Sequence, residues 1–189
     1  MSIAQVGIGG TITNDWYQRY VNPDDIGADG AGSVLLNVGV GPKIWVGMEK
    51  VSLSIEGTAN FGLFGFSLSD YKGMGMMAIP VTARLNFQGL SCLDKEGKMG
   101  FIIGGGFQYN RTELYGTTNG FEDKGGSRDW FKTMVVELGY GFGMSGFAGY
   151  GIARYGWDPN SQANNFSLGL QFDFNVPKLK KITDPSSEL

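Results

Sequence analysis

Residues 51–63 read VSLSIEGTANFGL, and apolar or small side chains occupy every second position of this stretch. The apolar series begins with Val51, Leu53 and Ile55, and each of these residues is followed by Ser or Glu. A period of two predicts a β-strand whose two faces meet different surroundings. Residues 166–176, FSLGLQFDFNV, repeat the pattern near the end of the chain. Strands of this kind therefore decide the fold.

The same alternation predicts eight strands, and the fold class is all-β. We expect an eight-stranded antiparallel up-and-down transmembrane β-barrel over residues 1–176, followed by a short periplasmic tail at 177–189. Pro80 marks an irregularity, because proline cannot donate to a ladder of backbone hydrogen bonds. The predicted strands cover about 4–16, 33–47, 51–65, 74–89, 98–112, 130–143, 146–157 and 164–176.

The connections between these strands alternate in length. Residues 48–50 and 144–145 are tight turns and 90–97 is moderately short, whereas the other connections are longer and rich in Gly, Asn and Asp. An outer-membrane barrel with both termini in the periplasm has short periplasmic turns and longer outer loops in this order. The longer connections are 17–32, 66–73, 113–129 and 158–163.

The composition favours a barrel that faces lipid. Charged residues make up only 17% of the chain, and no apolar run approaches the roughly 18 residues of a membrane helix. A soluble barrel would carry many Lys and Glu on its outside. Aromatic residues near the outer strand ends are typical of an interfacial girdle. The predicted girdle consists of Trp16, Tyr17, Tyr115, Trp130, Tyr155 and Trp157.

Several function classes are excluded by residue counts. The net charge is −3 and no long basic run is present, which argues against a nucleic-acid partner. The chain has no His, so it has neither a His-dependent triad nor a His metal ligand. Cys92 is the only cysteine, which excludes an internal disulfide and a thiolate metal cluster, and we assign it no role. We therefore predict a non-enzymatic protein without a cofactor or metal site.

Four charged residues fall on the polar faces of the predicted strands: Lys43, Glu56, Arg84 and Glu137. Lys43 and Glu56 are equally distant from the turn at 48–50, so they should be direct cross-strand partners. The interior of an eight-stranded barrel is only wide enough for side chains. We expect the four charges to form a buried ion-pair network that plugs the lumen, with a gate or a proton path as the alternative.

The last predicted strand carries a further signal. Ser167, Gly169, Phe172 and Phe174 resemble the β-signal of outer-membrane proteins, which the barrel-assembly machinery reads during insertion. The whole chain resembles the small eight-stranded outer-membrane barrels of the OmpA/OmpX type. This resemblance implies an outer-membrane location, with outer-membrane lipids and lipopolysaccharide as surroundings. The final aromatic residue of many such barrels ends the chain, whereas here residues 177–189 follow.

The N-terminus gives two weaker indications. Ser2-Ile3-Ala4 looks like the small-residue end of a signal-peptide cleavage site, with Gln5 as the first mature residue. The segment 5–9, QVGIG, is similar to mature N-termini of Bacteroidota envelope proteins.

Three functions are compatible with the predicted outer-membrane barrel. The first is a structural or accessory subunit of an envelope assembly, in secretion or surface-protein handling, which meets protein partners through its outer loops or the 177–189 tail. The second is a narrow pore for small solutes or ions. The third is a surface adhesin or lipid-binding barrel that acts through its outer loops.

Overall fold

The computed structural model describes residues 3–18, 31–33, 37–48, 50–67, 73–91, 98–116, 129–144 and 146–176. These residues form ten strand segments: β1 Ile3–Gln18, β2 Ala31–Ser33, β3 Asn37–Gly47, β4 Val51–Gly57, β5 Ala59–Ser67, β6 Gly73–Gln88, β7 Lys98–Gly116, β8 Phe131–Met144, β9 Phe147–Trp157 and β10 Asn164–Asn175. None of the described residues belongs to a helix long and apolar enough to cross a membrane.

The segments close into one antiparallel ring. Segments β2 and β3 share one position in the ring and β4 and β5 share another, so the ring has eight strands. Pairs from Gly7↔Asn175 to Gln18↔Asn164 join β1 to β10 and close the barrel. The predicted fold class is confirmed, and most strand bounds differ from the prediction by one to four residues.

The third predicted strand is interrupted at Thr58, between β4 and β5. The register with β6 is the same on both sides of the break, from Gly57↔Val81 to Asn60↔Ala78. Thr58 donates its amide to the carbonyl of Pro80 at 3.1 Å. Because Pro80 has no N–H to donate in return, the ladder is interrupted locally while the strand direction continues. The predicted irregularity therefore lies in the middle of a closed sheet rather than at an edge.

Polar and apolar faces are arranged inside-out relative to a soluble protein. Lys43 is 1% exposed and faces the lumen, while its neighbour Ile44 is 52% exposed on the outside. The same alternation runs along β8, where Glu137 is 1% and Leu138 is 60% exposed. An apolar exterior around a polar lumen is the arrangement that a bilayer requires.

The two ends of the barrel differ, and we call them the short-turn end and the long-loop end. The short-turn end holds the connections 48–50, 89–97 and 145–146, the start of β1 and the end of β10. At this end Leu90 lies in a turn after Gln88, whose φ is 53°, and the Leu90 side chain is buried. The connections 19–30, 68–72, 117–130 and 158–163 belong to the long-loop end.

Candidate functional site in the barrel lumen

Six charged side chains occupy the middle of the lumen, and each residue is 3% exposed or less. Three are cations and three are anions, so the set is neutral when all are ionised. The cations are Lys43, Arg84 and Arg154, and the anions are Glu56, Glu137 and Asp173. The four residues predicted from the sequence are all members of this cluster.

Glu56 binds two of the cations. It lies directly opposite Lys43 in the β3–β4 register, as the spacing from the turn predicts, with Lys43 Nζ 3.4 Å from Glu56 Oε2. Arg84 Nη1 lies 2.7 Å from the same oxygen. Gln171 Nε2 donates to both carboxylate oxygens at 2.6 and 2.7 Å. The Glu56 carboxylate is thus held from strands on several sides of the barrel.

Glu137 binds the other side of Arg84. Arg84 Nε pairs with Glu137 Oε1, and Arg84 Nη2 lies 3.3 Å from Oε2. Arg154 approaches Oε2 with Nη2 at 2.9 Å and Nε at 3.0 Å. Between these strands lies Gly104, at which a Cβ atom would come within 2.8 Å of Arg84 Cγ. The missing side chain on β7 therefore lets Arg84 reach Glu137.

The Tyr150 hydroxyl joins the two parts of the network. It accepts hydrogen bonds from Lys43 Nζ at 2.9 Å and Arg84 Nη1 at 3.0 Å, and donates to Asp173 Oδ2 at 3.0 Å. Lys43 Nζ also lies 2.5 Å from that carboxylate oxygen. One tyrosine on β9 thereby contacts charged groups on β3, β6 and β10.

Four members of this network were not singled out in the sequence: Tyr150, Arg154, Asp173 and Gln171. Tyr150 and Arg154 lie on β9, whose sequence alternation is weak because glycine occurs on both faces. Their inward direction could have been found by counting in steps of two from the Trp157 end of the strand. Asp173 and Gln171 do alternate clearly, but only the closed ring places them beside Lys43 and Glu56.

An apolar cluster occupies the lumen on the short-turn side of the charges. Its members are Trp45, Leu90, Ile102, Ala148, Tyr150 and Ile152. The Trp45 ring lies against Gly7, where a Cβ atom would come within 2.6 Å of the ring, and Lys43 Nζ is 4.8 Å from the ring centroid. The described lumen at this end is therefore lined by these side chains together with buried polar ones such as Gln5, Ser52 and Asn86.

Amide and hydroxyl side chains fill the long-loop side of the lumen. Thr133 donates to Asn165 at 2.9 Å, Asn110 donates to Thr133 at 3.0 Å, and Gln108 donates to Asn110 at 2.7 Å. Asp15 accepts from Thr13 and from Asn37. Polar side chains thus continue from the ion pairs towards the long loops.

The predicted girdle needs one correction. Tyr17 is 3% exposed, faces the lumen and accepts a hydrogen bond from Gln108 at 3.4 Å. Trp16 and Tyr17 are consecutive, so in a strand they cannot both face outward. Trp16, 40% exposed, takes the outward position and stacks on Phe166.

The other girdle residues lie near the long-loop end. Tyr115, Trp130 and Tyr155 are exposed, and Trp157 is half-buried and stacks on Tyr155 at 6.1 Å. Their contact with a membrane interface remains a prediction.

The residues of the β-signal lie on β10, the last strand. Ser167 and Gly169 face the lumen, while Phe172 and Phe174 face outward and pack against Phe147. Recognition by the assembly machinery stays a prediction. Cys92, the 177–189 tail and most of the long connections lie outside the described residues.

Comparison with known proteins gives a likeness of fold alone. Neisserial surface protein A (NspA) matches with a TM-score of 0.53 and 9% identity over 92% of this chain and 99% of that one. This chain has the fold of the small eight-stranded outer-membrane barrels. Ail, the attachment invasion locus protein of Yersinia pestis, matches with a TM-score of 0.49 and 11% identity over 90% of this chain and 97% of its own. No family model and no curated protein matches the sequence.

Proposed function

We propose that this chain is a non-conducting, non-enzymatic outer-membrane barrel that serves an envelope assembly as a structural or accessory subunit. The observation that carries the proposal is the filled lumen. Six paired charges cross its middle, and the apolar cluster around Trp45 and Leu90 closes its short-turn side. A barrel that cannot transport through its centre acts through its rims or its outer surface.

The energetics of the lumen support a plug more than a gate. Opening a path would separate Arg84 from Glu56 and Glu137, and breaking a buried pair costs about 3–5 kcal/mol when a charge is left without a partner. Water or an ion would then have to pass the apolar cluster, whose aliphatic members Leu90, Ile102, Ala148 and Ile152 offer no replacement hydrogen bonds. The ion-pair network and the apolar cluster therefore follow one another along the lumen, and a solute would have to pass both.

The proposed orientation places both termini and the short turns in the periplasm and the long loops outside. The periplasmic rim then carries the 177–189 tail, with Lys178, Lys180 and Lys181 next to the membrane and Asp184–Leu189 beyond them. The outer rim carries the acidic, Gly-rich connections near 17–32 and 113–129. These two rims are the proposed contact surfaces for protein partners.

Conductance in planar bilayers tests the plug. We expect no steady conductance in the nanosiemens range from the unmodified protein. A Trp45→Ala/Tyr150→Ala/Arg84→Ala variant, which removes members of both the apolar cluster and the ion-pair network, serves as a control that is expected to leak. Val46→Ala, on the outward face, should stay silent. Steady conductance from the unmodified protein would instead support the narrow pore.

Co-purification from native membranes tests the role in an assembly. Deleting residues 177–189 should leave the barrel inserted but release periplasmic partners. A matched variant with residues 117–128 replaced by a short Gly/Ser linker should keep them. The reverse result, with partners lost only on loop replacement, would assign the contact to the outer rim and favour the adhesin alternative.

A further inference from the structure

The two ends of the chain meet in the β1–β10 pair, which we call the seam. β1 is the first strand of the ring and β10 is the last, so no turn joins them along the chain. The register of a hairpin is set by its turn, whereas a pair without a turn depends on its side chains. A slip of one residue would exchange the inner and outer faces, but a slip of two keeps both faces and changes the stagger of the barrel. The seam therefore needs contacts that distinguish its register from those two residues away.

The side chains directly opposite one another at the seam give little preference of this kind. On the inner face, the β1 partner of Asp173 is Gly9, which has no side chain to pair with. On the outer face, positions 8, 10 and 12 of β1 are Ile, Gly and Ile, opposite Phe and Leu. Lipid tails are as apolar as these side chains, so apolar pairs facing lipid discriminate weakly between registers. Trp16 does stack on Phe166, but this contact lies at the long-loop end of the seam.

Two polar contacts of the lumen pass over β1 instead. Lys43 Nζ on β3 lies 2.5 Å from Asp173 Oδ2 on β10. Gln171 Nε2, also on β10, donates to the Glu56 carboxylate on β4 at 2.6 and 2.7 Å. Both contacts join strands that lie on opposite sides of β1 in the ring, and all four side chains are buried. A slip of two residues at the seam would move β10 by about 7 Å relative to β3 and break both contacts.

Glycine on β1 makes room for these contacts and also holds β1 in place. A Cβ atom at Gly9 would come within 3.1 Å of the amide nitrogen and 3.2 Å of the carboxyl carbon of the second contact. At Gly7 it would come within 2.6 Å of the Trp45 ring. Sliding β1 by two residues would bring Thr11 to the first place or Gln5 to the second, where their side chains would collide with these groups. The strand between the contacts therefore cannot shift to compensate for a slip.

We infer that the two contacts that Asp173 and Gln171 make over β1 set the register of the seam, and with it the stagger at which the barrel closes. Buried ion pairs are weak evidence for stability, because well-packed apolar groups often do as well, and fixing a register is a better-attested use of them. This role is distinct from filling the lumen, since pairs between strands that share a tight turn would fill it equally well.

Disulfide formation between β1 and β10 measures the register. In a Cys92→Ser background, Ile12→Cys/Leu170→Cys are direct partners in the present register. Ile12→Cys/Leu168→Cys and Asn14→Cys/Leu170→Cys become direct partners after a slip of two residues in one direction or the other. Direct partners have Cα atoms about 4.5–5.5 Å apart, and diagonal ones, about 7–8 Å apart, are beyond the reach of a disulfide. The full-length barrel is folded in lipid vesicles and oxidised, and boiled non-reducing SDS gels separate cross-linked from open chains.

With the lumen intact, the present-register pair should cross-link and the two slipped pairs should not. Lys43→Met/Gln171→Met/Asp173→Asn removes both contacts over β1 together with one cation and one anion. This variant should raise the ratio of slipped to present-register cross-links about tenfold or more. Glu137→Gln/Arg154→Met is the matched control, because it also removes one cation and one anion, but from β8 and β9, which share a tight turn. It should leave the ratio unchanged.

The outcomes that contradict the inference are distinct. An unchanged ratio in the triple variant, an equal rise in the control, or slipped cross-links with the lumen intact would each overturn it. The shift of apparent mass on boiling verifies that each variant is folded. If the triple variant does not fold, Gln171→Met and Asp173→Asn are oxidised singly, and the inference is wrong if neither raises the ratio. Conductance is measured separately, so a failure here leaves the non-conducting barrel standing.

Discussion

At the scale of single residues, the Tyr150 hydroxyl makes hydrogen bonds to three charged side chains of the lumen. It accepts from two cations and donates to one carboxylate, so its removal leaves Lys43 and Arg84 each short of an acceptor and Asp173 short of a donor. The Tyr150 ring also belongs to the apolar cluster on the short-turn side of the charges. The hydroxyl and the ring can therefore be tested independently.

Tyr150→Phe should destabilise the barrel by about 1–3 kcal/mol, because it leaves buried charged groups with unmade hydrogen bonds while keeping the ring. Urea unfolding of the protein in lipid vesicles, followed by tryptophan fluorescence, measures the loss. Tyr140→Phe is the matched control, since Tyr140 is 62% exposed on the outer face. Equal stability of the two variants would mean that the hydroxyl adds nothing to the network.

The sequence predicts some residue contacts and not others, for a physical reason. The Lys43–Glu56 pair follows from equal distances to a tight turn, which is local information. The Lys43–Asp173 pair joins residues 130 positions apart and exists only because the ring closes. The girdle prediction is wrong for Tyr17, because strand alternation and not aromatic character decides which of two consecutive residues faces outward.

At the scale of strands, β6 contains the main departure from a regular ladder. Its register with β7 shifts between Met74 and Met76, and its register with β5 shifts over the facing segment from Gly62 to Phe66. Gly75 lies at this point with a φ of 80°. Met74 and Met76 are two positions apart, whereas their partners on β7 are three apart and those on β5 are four apart. The extra residues of these β-bulges therefore lie on β7 and β5, and Gly75 adopts, on the strand opposite them, a left-handed conformation that glycine allows.

Gly75→Ala should destabilise the barrel by about 1–2 kcal/mol, because an L-residue at this φ is strained. Its Cβ would also come within 3.3 Å of Leu114 and Tyr115. The same urea titration measures the effect. Gly151→Ala is the control, since a Cβ there points outward and meets nothing closer than 3.8 Å. If both variants unfold at the same urea concentration, the left-handed position opposite the bulges does not require glycine.

The strand pattern is visible in the sequence to different degrees. The pattern along β4 and β10 is clear, because apolar residues alternate with polar or small ones. In β7 and β9 glycine occupies both faces, and the alternation weakens although the strands are continuous. The bulges opposite Gly75 lie within 112–115 of β7 and 62–66 of β5, where nothing in residue type distinguishes the extra positions.

At the scale of the whole molecule, closure of the ring determines its resistance to unfolding. Strands at both ends of the sequence pair with each other over the length of β10, so the described sheet has no free edge at that seam. Detergent must therefore break ladder bonds on both sides of a strand before the strand can leave. The apolar exterior, in contrast, requires lipid or detergent around it to stay in solution.

We expect the intact barrel to run on unboiled SDS gels as a compact species and to shift in apparent mass on boiling. Leu170→Pro should abolish most of the compact species, because Leu170 lies between Ile12 on β1 and Gly151 on β9, and proline there removes a ladder donor beside the seam. Leu170→Ala keeps the backbone donor and should run like the unmodified protein. A compact species that survives Leu170→Pro would show that resistance does not depend on the β1–β10 seam. If the unmodified protein were stable as a soluble monomer without detergent, the membrane placement itself would be wrong. An exterior carrying Val38 at 63% and Leu138 at 60% exposure could not then be a lipid-facing surface.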